Sequence, residues 1–142
     1  MVLELEATHA QIQRILQSKA FRTSEIHRTL LTYLAEKSVS GTADGLKEYT
    51  VGLDVFAKPD SYDPRQESTV RMHVARLRQK IGEYYRTEGL EDPIVVDLPK
   101  GGFKLTFEPR LYLLVLLPGN FFQHHLQPFA THRESPGNRT VD

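Results

Sequence analysis

Arg71, Arg76, Arg78 and Lys80 crowd into the stretch STVRMHVARLRQKIGEYY, residues 68–85, together with Met72, Ala75 and Gln79. These are side chains that can read a nucleic acid. A guanidinium donates two parallel hydrogen bonds to guanine O6 and N7 or to a phosphate, a Gln amide pairs with adenine, and small or apolar side chains lie against a thymine methyl. The charge is local. From Arg65 to Ile81 the cations are Arg65, Arg71, Arg76, Arg78 and Lys80 and the only anion is Glu67, whereas residues 1–63 hold seven cations against nine anions. The chain as a whole carries 18 cations and 18 anions, so the positive field belongs to one element. A solvated helix face can carry such a run without any partner.

The element is predicted to be a helix over about 64–86. Val70, Val74, Leu77, Ile81 and Tyr85 recur at steps of four, three, four and four, the stripe of a helix lying on a core. Asp63-Pro64 supplies an N-cap candidate and a proline suited to the first turn. Opposite the stripe the helix gathers Ser68, Met72, Ala75, Arg76 and Gln79, with Arg71 and Arg78 along one edge and Lys80 along the other. The absence of Glu from that face, where Glu and Lys commonly alternate, marks it as a candidate contact surface.

Three further helices precede it. Thr8 and Gln11 read as a capping box for a helix from about Thr8 to Lys19, with Ile12, Ile15 and Leu16 inward. Thr23 or Ser24 caps a second, packed through Ile26, Leu30, Leu31 and Leu34, and residues 38–45 form its exit loop. Leu46, Tyr49, Leu53 and Phe56 give the inner face of a third, ended by Pro59 and its turn-forming neighbours. Beyond the basic helix, PIVVDLPKGGFKLTF, residues 93–107, alternates Ile94, Val96, Leu98 with Phe103, Leu105, Phe107 across a Pro99–Gly102 turn. That pattern is a β-hairpin with a basic tip.

STVRMHVARLRQKIG, a short loop and IVVDLPKGGFKL together resemble the C-terminal half of the OmpR/PhoB-type winged-helix domain of bacterial transcriptional regulators. LKEYTVGLDVFAKPDSYDP resembles the segment that precedes this helix in winged-helix modules, so the likeness covers about residues 46–107. The fold it implies is α+β and mainly helical, a winged helix-turn-helix of three core helices and a C-terminal hairpin wing. Here an extra N-terminal helix stands where that family has an antiparallel sheet. The implied function is sequence-specific binding of double-stranded DNA, with the basic helix in the major groove and the wing, residues 93–107, at the backbone or minor groove. On this footing Arg71, Met72, Ala75 and Arg76, with Gln79, are assigned to base contact, and Ser68, Thr69, Arg78, Lys80, Lys100 and Lys104 to phosphate. The wing position where the family often carries Arg falls on Pro99, which moves the cation to Lys100.

The 142 residues suffice for one domain with a modest core, read as residues 1–110 followed by a tail, 111–142. There are no cysteines, so disulfides and thiolate metal sites are excluded. The opening lacks the basic and apolar regions of a secretory signal, which predicts a cytoplasmic protein. The apolar run 111–117 is far shorter than the roughly 20 residues of a spanning helix and is closed by Pro118 and Gly119. No enzyme motif, cofactor site or metal motif stands in the chain; His73 reads as a packed core histidine, and His124, His125 and His132 as a weak metal candidate. The competing reading is a winged-helix protein-interaction module of a bacterial signalling system, which the N-terminal helix or the apolar segment 111–122 would serve as a homodimer or partner surface.

Overall fold

In the computed structural model, which describes residues 4–110, the elements run α1 (Leu5–Leu16), α2 (Glu25–Val39), α3 (Glu48–Phe56), α4 (Thr69–Arg86), β1 (Ile94–Asp97) and β2 (Thr106–Pro109). The fold is α+β and mainly helical. The tail features above, the apolar segment 111–122 and the three tail histidines, lie outside the described residues.

The long helix α4 forms the spine. Val70, Val74, Leu77 and Ile81 are buried as their spacing requires, and Tyr84 extends the buried row. Leu30, Leu31 and Leu34 of α2, Val51 of α3 and Ile12, Ile15 and Leu16 of α1 join the same core. Tyr85, half-buried, fastens α4 to two other elements through its hydroxyl. That oxygen accepts Val96 N–H at 3.0 Å and Gln11 Nε2–H at 3.1 Å, and donates to the Ile94 carbonyl at 2.7 Å. Gln11, fully buried on α1, also donates to Asp92 Oδ2 at 2.8 Å, and the Tyr84 hydroxyl donates to the same carboxylate. A buried amide and two phenols are thereby satisfied, and α1 is fixed against the far end of α4.

Several boundaries differ from the sequence expectation, each for a local reason. Thr8 lies inside α1, its hydroxyl bonded back to the Glu4 carbonyl at 3.2 Å, so it does not cap the helix. α1 stops at Leu16, and residues 17–24 form a hydrogen-bonded turn instead of its last turn. α4 starts at Thr69, not near 64. The Asp63 carboxylate instead accepts Arg65 N–H at 3.0 Å and its carbonyl accepts Gln66 and Glu67 N–H, closing a separate turn.

The stripe expected for α3 is also corrected. Tyr49 is exposed, and the buried positions are Val51 and Gly52. Tyr49 stacks on Tyr62 at 6.0 Å between centroids and donates to the Asp60 carbonyl at 2.9 Å, closing the α3–α4 connection from outside. Gly52 is required beneath it, because a Cβ there would overlap the buried Tyr62 ring. α3 then ends at Ala57, whose φ of 53° is left-handed, with Lys58 N–H returning to the Gly52 carbonyl at 3.1 Å.

β1 and β2 pair antiparallel, Ile94 with Pro109 and Asp97 with Thr106. The connection is residues 98–105, longer than the Pro99–Gly102 turn predicted, because Leu98 and Leu105 leave the ladder to enter the core. Leu105 N–H is taken up by Ser38 Oγ of α2 at 2.8 Å. At the tip Gly101 has φ +96°, a conformation that favours glycine.

Candidate nucleic-acid interface

Ser68, Met72, Ala75, Arg76 and Gln79 are exposed along the side of α4 opposite the core, as their spacing predicts. Met72 is 44% exposed, a large apolar side chain set among cations. From Ser68 to Gly82 the chain has no acidic residue; Glu83 is the first. Arg76 has no ion-pair or hydrogen-bond partner among the described residues, which leaves its guanidinium available to a ligand.

The remaining candidates are engaged to differing degrees. Arg71 Nη1 pairs with Glu48 of α3 at 2.9 Å and donates to the Pro64 carbonyl at 2.9 Å, so it braces the start of α4 while staying half-exposed. Thr69 Oγ1 donates to Glu67 Oε2 at 2.8 Å, and the same carboxylate is paired with Lys58. These two donors hold the Glu67 carboxyl below its ordinary range. Lys104 forms an exposed pair with Asp44 at 3.3 Å, of the kind that contributes little to stability. Lys100 is exposed at the tip of the 98–105 connection.

Arg78 and Lys80 reach away from the open face, and their positively charged ends hold neighbouring segments. Arg78 Nε donates to the Leu98 carbonyl at 2.7 Å and Nη2 to the Pro99 carbonyl at 3.5 Å. Lys80 Nζ donates to the Ala20 carbonyl at 2.9 Å, over the Phe21 ring. In the free protein both therefore donate within the fold, an engagement that their assignment to phosphate contact does not include.

Beside this face the inner row of α2 begins at His27, in helical register with Leu30, Leu31 and Leu34, and not at the half-buried Ile26. His27 of α2, buried, sits 3.2 Å from His73 of α4 (Nε2 to Nδ1), and Ser24 Oγ is 2.6 Å from His27 Nδ1. Phe56 of α3 stacks on His73 at 5.2 Å, so one contact joins three helices. His73 is thus packed and hydrogen-bonded, as expected, and His27 is its unforeseen partner. Burial lowers both imidazole pKa values. His73, Lys80 and Arg76 lower His27 further, and Arg76 lowers His73.

The unfolded chain, with ordinary His near 6.5, takes up protons more readily than the folded one. The contribution of the His27–His73 pair to stability is therefore fully present above about pH 6.5 and is lost as pH falls through the lowered folded values. Urea unfolding of the protein at pH 7.5 and 5 should show a lower midpoint at pH 5, and His73→Gln should flatten the difference. Equal midpoints in the unaltered chain would overturn it.

Among the described residues no group of three or more His, Asp or Glu side chains is placed to hold a metal ion. No helix there is long and apolar enough to cross a membrane. Comparison of the chain with protein-family models, curated proteins and solved structures gave no match.

Proposed function

We propose that this chain is a bacterial, cytoplasmic transcriptional regulator that binds duplex DNA sequence-specifically in the winged-helix manner. α3 and α4 form the helix-turn-helix pair, α4 enters the major groove, and the β1–β2 hairpin is the wing. The observation that carries this reading is the exposed side of α4. It is free of acids from Ser68 to Gly82, with Arg76, unpaired among the described residues, between the exposed Met72 and Gln79 and a packed stripe behind it. Base contact falls to Met72, Ala75, Arg76 and Gln79, with Arg71 at the edge. Ser68, Thr69, Lys100 and Lys104 approach the phosphates.

The protein-interaction reading draws on the same exposed Met72 and on Leu90, also 44% exposed. Salt separates the two. DNA held through several cations is released steeply as salt rises, whereas an apolar interface is not. Selection of bound sequences from random duplex DNA, repeated at two salt concentrations, tests both readings. Recovery of a shared motif supports the proposal, and salt-independent retention or none defeats it.

Lys100 gives a graded check on the wing. As a nonspecific phosphate contact, its change to Ala should weaken all duplexes about equally and lower the slope of log affinity against log salt by about 0.9. A loss concentrated on A·T-rich flanks would instead place Lys100 in the minor groove.

A further inference from the structure

We infer that the α1–α2 turn, residues 17–24, is a second backbone-contacting flank, in which Lys19 and Arg22 meet phosphates of the duplex on the side of α4 opposite the wing. The inference rests on the DNA reading above and extends it to a part of the molecule that reading does not use.

The geometry begins with Arg78 and Lys80. Adjacent positions on a helix project about 100° apart, so these two side chains leave α4 on either side of Gln79, about 100° from each. Met72, two turns earlier, lies close to the same midline. Arg78 holds the Leu98 and Pro99 carbonyls, and Lys80 holds the Ala20 carbonyl. The open face of α4 is therefore bracketed by two tethered segments. On each side the carbonyl held is next in sequence to an exposed lysine, Lys100 after Pro99 and Lys19 before Ala20.

The turn is rigid enough to serve. Phe21 is fully buried and Ser18 nearly so, Arg22 N–H returns to the Ser18 carbonyl at 2.8 Å, and Ser18 Oγ donates to the Ile15 carbonyl at 2.7 Å. Arg28 of α2 ties the Leu16 carbonyl from the other side. Lys19 and Arg22 are exposed and carry no ion pair among the described residues; Glu88 accepts only the Lys19 backbone N–H, at 2.8 Å. A helix seated in the major groove has a phosphate strand along each margin, and cations fixed on both margins would follow both strands.

The test is Lys19→Ala/Arg22→Ala in the full chain, titrated over a range of salt against the selected duplex and a mixed-sequence duplex. Each phosphate contact contributes about 0.9 to the slope of log affinity against log salt, so the double change should lower it by about 1.8. Both duplexes should lose affinity alike, leaving sequence preference intact. An unchanged slope, or a loss confined to the selected duplex, overturns the inference while the DNA reading stands. Failure of the unaltered chain to bind DNA at all removes both. Thermal unfolding should match the unaltered chain, since both side chains are exposed; if it does not, Lys19→Gln/Arg22→Gln gives the same reading without shortening the side chains as far.

Discussion

Leu77→Ala is expected to lower folding stability by about 2 to 5 kcal/mol, the usual range for truncating a fully buried leucine. Leu77 is at 0% exposure in the middle of α4, within the cluster that α1, α2, α3 and β1 share. No single element can move to fill the space it leaves, so the loss should lie toward the upper part of that range. The cavity would also lie beneath the proposed contact face, and DNA affinity should fall with the folded fraction. Denaturant unfolding measures it. A midpoint equal to that of the unaltered chain would mean that α4 is turned differently about its axis.

Arg76→Ala is expected to do the opposite, costing about 1 to 3 kcal/mol of specific DNA binding and relaxing base preference, with stability near neutral pH unchanged. Arg76 is exposed and unpaired among the described residues, so its removal breaks no contact within the fold. Its charge also helps to keep His27 and His73 neutral. The variant should therefore lose less stability between pH 7.5 and 5 than the unaltered chain does. Affinity measured on a duplex set varied one base pair at a time checks the first effect, and urea unfolding at the two pH values checks the second. A variant that bound DNA with unaltered preference would remove Arg76 from the base-reading set.

The sequence made α4 legible because a stripe of Val70, Val74, Leu77 and Ile81 admits one helical phase, and that phase fixes which residues face away. The hairpin was legible from its alternation, although its connection ran longer once Leu98 and Leu105 entered the core. α3 misled for a physical reason. Tyr49 is apolar enough to pass for core, yet its hydroxyl and ring work at the surface, while the buried Gly52 has no side chain for any periodicity to register. Arg78 and Lys80 show a second limit. Spacing gives the direction in which a side chain leaves the helix but not where a long, flexible one ends, and both end on carbonyls distant in sequence. His27 stands three and four positions before Leu30 and Leu31, so helical spacing marks it as inward, but spacing does not name its partner His73, 46 positions away.

The contact between Gly52 and Tyr62 restricts how chains of this fold can diverge. A side chain at 52 meets the ring at once, while a smaller residue at 62 leaves a void that glycine does not fill and takes the stacking partner from Tyr49. The first change is blocked by overlap and the second is merely destabilising. Lineages should therefore pass through loss of the aromatic ring before gaining a side chain at 52, and the reverse order should be rare. The same asymmetry applies to Gly89 and Tyr84, where an added Cβ would likewise overlap the ring. Descendant sequences should show these two pairs changing in concert, each with the tyrosine moving first.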